Sequence, residues 1–200
     1  MKKYLILCIL GAMIFTGCQG QGAENKNEAV QPSNDILAEN DEDDYNEGFE
    51  MDKNPVAGVK LQGFEAKTLE GEVVKEDVFE KSKITAINLW GTFCSPCIEE
   101  MPDLEKVYGT YNKEDFNIIG IVVDGEQSIT AKEIVKKLGV TYTNIIADEK
   151  LSNDIVNKFD YVPATIFVNS KGEVLDTFIP GGTDEKSIKK IIDGLLENEK

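Results

Sequence analysis

The stretch I-T-A-I-N-L-W-G-T-F-C-S-P-C-I-E-E-M-P, Ile84 to Pro102, changes its period in the middle. Ile84 to Trp90 is a largely apolar run of the type that forms a strand buried on both faces of a sheet. From about Ser95 to Tyr111 apolar residues recur at Ile98, Met101, Leu104, Val107 and Tyr108, which gives a helix with a defined inward face. Cys94 and Cys97 sit at the joint, two residues apart. Pro102 falls inside the helix and is expected to kink it.

Working outward, V-K-L-Q-G-F-E-A (Val59 to Ala66) and T-L-E-G-E-V-V (Thr68 to Val74) read as short strands with turn signals at Gly63 and Gly71, followed by a helical turn from Asp77 to Lys81. After the central helix come a second buried strand from Phe116 to Val123, a helix from Ala131 to Leu138 ended by Gly139, and a strand from Asn144 to Ala147. A helix from Leu151 to Phe159 leads into V-P-A-T-I-F-V (Val162 to Val168), a turn, a strand from Glu173 to Ile179, and an amphipathic helix from Glu185 to Leu196. Strands alternating with helices, then a hairpin and a last helix, predict an α/β layer sandwich around a mixed sheet.

The first 54 residues have a different texture. Met1 to Cys18 carries two Lys, an apolar run from Tyr4 to Phe15 and small residues before Cys18, the anatomy of a secretory signal peptide and too short to span a bilayer. Phe15-Thr16-Gly17-Cys18 resembles a bacterial lipobox, which would make Cys18 the lipidated first residue of the mature chain. Gln19 to Asn54 holds eleven acidic residues against two Lys and few large apolar residues, and reads as a disordered tether. The expected organisation is a signal peptide over 1–17, a lipid-anchored acidic tether over 18–54 and a folded domain over 55–200.

Charge and cysteine usage narrow the functions. The whole chain has 21 basic residues, all Lys, against 37 acidic ones, a net charge of −16. With no Arg and no Lys-rich patch, nucleic-acid binding has nothing to rest on. Cys8 leaves with the signal peptide and Cys18 is blocked by lipid, so Cys94 and Cys97 remain as one pair in an oxidising compartment. A disulfide across two residues restricts the unfolded chain little, so a structural staple is disfavoured. Zinc is disfavoured because the chain has no His and no second Cys pair. A redox dithiol has a mechanism: at a helix start the unpaired N–H groups and the positive dipole end favour the Cys94 thiolate, and Cys97 lies one turn along.

The segment Ile87 to Pro102, together with V-P-A-T-I-F-V and the β-hairpin before Ile84, resembles the thioredoxin-like proteins of the TlpA/ResA group over about Val59 to Leu196. The resemblance implies a thioredoxin-like three-layer sandwich, its central mixed β-sheet flanked by helices, with an N-terminal β-hairpin and a central strand-helix insert spanning Asp124 to Asp148. It implies Cys94 as the exposed nucleophile, Cys97 as the buried resolving thiol, a redox disulfide between them, and Pro163 as a cis-proline facing the pair. Val162 would then offer its backbone to an incoming peptide, as in strand addition. Trp90 would shield the dithiol and, with Phe93, Val162 and Pro163, form the substrate contact. Thr165 reads as a strand residue. Ordinary thioredoxins have a buried Asp where this chain has Asn88; in the ResA-like group a Glu three residues after the second Cys takes over, and Glu100 stands there. Peroxiredoxins are disfavoured because Gly91 occupies the place of their Thr, and copper chaperones of related fold by the lack of His.

The resemblance further implies an extracytoplasmic, membrane-anchored bacterial lipoprotein that acts, without cofactor or metal, as a protein disulfide reductase and as a monomer. Its expected substrates are apocytochrome c or an oxidised surface protein such as a methionine sulfoxide reductase. Its expected electron donor is a membrane thiol carrier of the CcdA type. A disulfide-forming oxidase of the same fold and a non-enzymatic lipoprotein binding module are the alternatives.

Overall fold

The computed structural model describes residues 53–198; the signal peptide, Cys18 and nearly all of the tether lie outside the described residues. Seven strands form one sheet: β1 (Ala66–Thr68), β2 (Val73–Val74), β3 (Ile84–Trp90), β4 (Phe116–Val122), β5 (Thr143–Ile146), β6 (Ala164–Asn169) and β7 (Val174–Pro180). Their spatial order is β2-β1-β5-β4-β3-β6-β7. β3, β4 and β5 run parallel, while β6, β7, β1 and β2 join antiparallel. Helices α1 (Ser95–Thr110), α2 (Ser128–Leu138), α3 (Glu149–Asp154) and α4 (Glu185–Asn198) complete the layers.

Successive crossovers in one direction along a parallel sheet put their helices on one face. Accordingly Met101, Leu104 and Val107 of α1 and Ala131 of α2 share one core with Ala86, Trp90, Ile118, Val122 and Phe167, and Ile188 and Ile192 of the terminal helix α4 join it. The alternate residues Ile87, Leu89, Ile119, Ile121, Ile166 and Val168 pack on the other face with Val56, Leu61, Phe64, Phe79, Leu151 and Ile155. β3 is buried at all seven positions, as its unbroken apolar run predicts. The three-layer thioredoxin-like sandwich is therefore the fold.

Three local expectations change. Of Val59 to Ala66 only Ala66 enters the N-terminal hairpin, because Gly63 takes a φ of +70° and turns the chain, and Thr68 to Val74 is not one strand but the end of β1, a turn and β2. Ahead of that turn the backbone lies along the β6–β7 hairpin: Leu61 N–H donates to Gly172 C=O (2.8 Å), Val174 N–H to Val59 C=O (2.9 Å), and Lys60 bridges Glu173. The hairpin proper is the short β1–β2 pair, whose turn is shaped by the Thr68 hydroxyl accepting the N–H groups of Glu70 and Glu72. The helix expected from Leu151 to Phe159 stops at Asp154 and continues as a 3-10 turn, Val156–Lys158. Helix α1 runs on as one element through Pro102, although that residue has no N–H to give the Ile98 carbonyl one turn back.

Asn54, expected in the tether, is buried. Its side chain donates to the Leu175 carbonyl (2.7 Å) and accepts from Val56 N–H (3.2 Å), so the folded body begins at least one residue before Pro55.

Candidate functional site

β3 ends at Trp90, and the chain turns through Gly91, Thr92 and Phe93 into Cys94, the N-cap of α1. Cys94 N–H donates to Gly91 C=O (3.1 Å), and the Cys94 sulfur accepts the Cys97 N–H (3.2 Å). An N-cap acceptor satisfies one of the free amides of the first turn and places its atom at the positive end of the helix. Cys94 and Cys97 are joined in a disulfide, with their Cα atoms 5.3 Å apart.

Across from the pair lies the loop before β6. The Val162–Pro163 peptide is cis, and the Cys94 sulfur lies 3.6 Å from the Val162 carbonyl oxygen. Cys94 is only 6% exposed and Cys97 fully buried, so in the disulfide form neither is an open surface group. The expectation of an exposed Cys94 is corrected to that extent: folding back as a cap under the Val162 carbonyl hides most of the sulfur. What reaches Cys94 is a groove of about 620 Å³ walled by Phe93, Val123, Phe159, Tyr161 and Val162, with Asp160 beside it. Phe93 is 70% exposed on its rim.

Trp90 is not part of that rim. It is fully buried in the same core as both cysteines, and its indole N–H donates to Asn144 Oδ1 (2.9 Å). It therefore packs behind the dithiol and has no surface to offer a substrate, which corrects its expected place among the substrate contacts. Gly120 makes the bond feasible, since a Cβ there would lie 2.0 Å from Asn144 Oδ1.

On the Cys97 side, Glu100 is 4% exposed. Oε1 accepts Asn88 Nδ2–H (2.8 Å) and Oε2 accepts Thr183 N–H (2.8 Å). Asn88 also donates to the Thr165 hydroxyl (3.1 Å), its direct partner in the β3–β6 register. Burial pushes the Glu100 carboxyl up to about 7, against the opposing pull of the Asn88 and Thr183 donors. Glu100 borders a second recess of about 430 Å³, between the start of α1 and the segment entering α4, lined also by Pro96, Glu99, Asp103 and Thr183.

Several members of this arrangement are not singled out by sequence reading. Thr165 is more than a strand residue, being half of a buried polar pair. Thr183 acts through its backbone, which no side-chain pattern reveals. Asp124, the second residue after β4, accepts Thr92 N–H with both carboxylate oxygens (3.0 and 3.2 Å) and the Thr92 hydroxyl with Oδ2 (2.5 Å). The available signal was positional: parallel neighbours β3 and β4 end side by side, so a polar residue just past β4 faces the turn just past β3.

A Cys-x-x-Cys disulfide capping the helix after the central strand of this sheet, opposite a cis-proline loop, defines the class as a thiol-disulfide oxidoreductase of thioredoxin fold. The chain belongs to the AhpC/TSA family, which it matches over residues 57–177. It is 32% identical over 129 residues to the thiol-disulfide oxidoreductase ResA of Halalkalibacterium halodurans, covering 64% of this chain and 72% of that one. It is 28% identical over 144 residues to ResA of Bacillus thuringiensis, covering 70% and 80%. Among solved structures, a thioredoxin-family thiol:disulfide interchange protein from Chlorobium tepidum superposes with a TM-score of 0.60 at 24% identity, over 70% of this chain and 97% of that one.

Among the described residues no group of His, Cys, Asp and Glu could hold a metal ion, and no helix is long and apolar enough to cross a membrane.

Proposed function

We propose that the protein is an extracytoplasmic protein disulfide reductase, tethered to the membrane through lipid on Cys18 after removal of residues 1–17. The observation that carries the reading is the Cys94–Cys97 disulfide at the head of α1 with the buried carboxyl of Glu100 one turn beyond Cys97.

In the reducing direction the Cys94 thiolate attacks one sulfur of a substrate disulfide. The new S–S bond joins Cys94 to the substrate and the other substrate sulfur leaves as a thiolate, which takes a proton from water. Glu100, as carboxylate, then accepts the Cys97 proton. The Cys97 thiolate attacks Cys94, re-forming the intramolecular disulfide and releasing the second substrate sulfur. Two electrons pass from the Cys94–Cys97 pair to the substrate, and the described disulfide is the oxidised product of the cycle. An incoming peptide lies in the groove, pairing with the Val162 backbone opposite Pro163 and packing on Phe93. Glu100 suits proton transfer because a carboxyl titrating near neutrality exchanges protons in either direction at working pH.

Apocytochrome c or an oxidised surface protein such as a methionine sulfoxide reductase fits as substrate, and a membrane thiol carrier of the CcdA type as the source of electrons. Reduction of insulin by the protein is the first test: activity is expected in the wild type and is abolished by Cys94→Ser. In cells, Cys97→Ala should accumulate mixed disulfides on Cys94, and mass spectrometry of the trapped species names the substrate. An empty trap together with an inactive wild type would return the chain to the binding-module reading. A reduction potential near that of thioredoxin, about −270 mV, fits a reductase, whereas one near the −120 mV of a strong oxidant would reverse the direction.

A further inference from the structure

The turn that carries the reactive pair is held from the neighbouring strand. Val123 N–H donates to Trp90 C=O (2.9 Å), which joins the last residue of β3 to the first residue beyond β4. One residue further the ladder gives way to a carboxylate clamp: Asp124 receives both the N–H and the O–H of Thr92. Asp124 is fixed in turn because its own carbonyl accepts Gln127 N–H (2.8 Å) in the 3-10 turn Gly125–Gln127. The following residue is also constrained, since a Cβ on Gly125 would lie 2.5 Å from an Ile146 methyl.

On the other side of Thr92 the chain has little slack. Phe93 lays its ring over Gly91, where a Cβ would come within 2.6 Å of the ring. Cys94 N–H closes the turn on Gly91 C=O. Both residues that line the groove from this direction, Phe93 and Cys94, therefore hang from a short turn whose middle residue is gripped by Asp124.

We propose that Asp124 is a positioning residue for disulfide exchange. By holding the N–H and O–H of Thr92 it fixes the height of the Gly91–Cys94 turn. That fixes the Cys94 sulfur against the Cys97 N–H and the Val162 carbonyl, and the Phe93 ring along the groove. The inference rests on the reading of Cys94 as the attacking sulfur. Exchange requires the attacking, central and leaving sulfurs to align, and small errors in such alignment cost large factors in rate. Asp124 and Glu100 thus have separate tasks: one sets geometry on the Cys94 side, the other moves a proton on the Cys97 side.

The test uses the full chain and three substitutions at the clamp. Asp124→Ala and Thr92→Val are expected to lower kcat/KM for insulin reduction roughly tenfold. Thr92→Ser keeps the hydroxyl and is expected to retain the wild-type value. Thr92→Val changes no charge, so the pH midpoint of Cys94 alkylation by iodoacetamide reads geometry alone. It is expected to rise, because a sulfur less firmly held on the Cys97 N–H is a less stabilised thiolate. The proposal is overturned if Asp124→Ala reduces insulin at the wild-type rate, or if Thr92→Ser is as slow as Thr92→Val. Should Asp124→Ala not fold, the Thr92 pair decides alone. If the wild type itself does not reduce insulin, the reductase reading has failed; the alkylation midpoint then still judges the clamp, and an unchanged midpoint in Thr92→Val rejects it.

Discussion

At Glu100, only 4% exposed, burial outweighs the two donors that favour the carboxylate, so the carboxyl resists ionisation, and that resistance has a measurable sign. Glu100 titrates near 4.5 in the unfolded chain and about 7 in the folded one, so between those pH values the folded chain keeps a proton that the unfolded chain has released. The contribution of the protonated carboxyl to stability is fully present below pH 4.5 and is lost as pH rises through 7, by up to about 3 kcal/mol. Urea denaturation of the oxidised protein at pH 5 and pH 8 should show that loss, and Glu100→Gln should remove it and be the more stable of the two at pH 8. Parallel pH dependences in wild type and variant would exclude a buried acid at this position. In turnover the same substitution should slow disulfide reduction about 100-fold near pH 7, the usual scale for losing a general acid–base group, with the pH–rate inflection near 7 gone. At this scale the sequence was partly readable. Asn88 is a polar residue in a largely apolar strand and Glu100 follows a Cys-x-x-Cys pair, but their mutual bond depends on which face of β3 meets α1. The Thr183 N–H that completes the site has no sequence signal at all.

Among the elements, β3 and β4 carry the site because their ends lie level and parallel. Gly120, the fifth residue of β4, is opposite Asn88 in register and leaves room for Asn144 of β5 to reach the Trp90 indole. Gly120→Ala sets a methyl against Asn144 Oδ1 and displaces it, leaving the buried indole N–H without its acceptor. A destabilisation of about 2–4 kcal/mol is expected from urea denaturation. Asn144→Ala, which removes the acceptor without crowding, should cost about 1–3 kcal/mol, and a larger loss for Asn144→Ala than for Gly120→Ala would contradict this account. Long apolar runs made β3, β4, α1 and α4 legible, because burial on one face or both imposes a period that no local contact overrides. Val59 to Ala66 was misread for the converse reason. Its buried residues, Leu61, Phe64 and Ala66, do not keep to alternation, and Gly63 uses a left-handed φ to redirect the chain, so what decides its course is the β6–β7 hairpin more than a hundred residues away.

At the scale of the molecule, the folded body has a definite lower limit. Val56 and Leu61 are each 1% exposed in the core under α3, and Asn54 ties the entry of the chain to β7. A chain started at Lys53 should unfold at the same urea concentration as the full chain. One started at Gln62 forfeits two buried side chains worth about 1.5–3 kcal/mol each and should be markedly less stable. An equal midpoint for the two would mean that this segment contributes nothing to the core. The shift in composition near residue 54 was plain in the sequence because charge density falls as apolar content rises; that the last polar residue before it belongs to the fold was not, since its partner is a backbone carbonyl of β7.

Pro96 borders both the groove over Cys94 and the recess at Glu100. Pro96, the second of the two residues between the cysteines, thus acts as a partition, with the groove to Cys94 on one side and the recess at Glu100 on the other. Under the proposed function, a bulky client seated over Cys94 would exclude water from the exchanging sulfurs while Glu100 still faced the second recess. In the proposed cycle the enzyme would therefore be sealed to its substrate and open to protons at the same moment, and its proton inventory would not wait for product to leave.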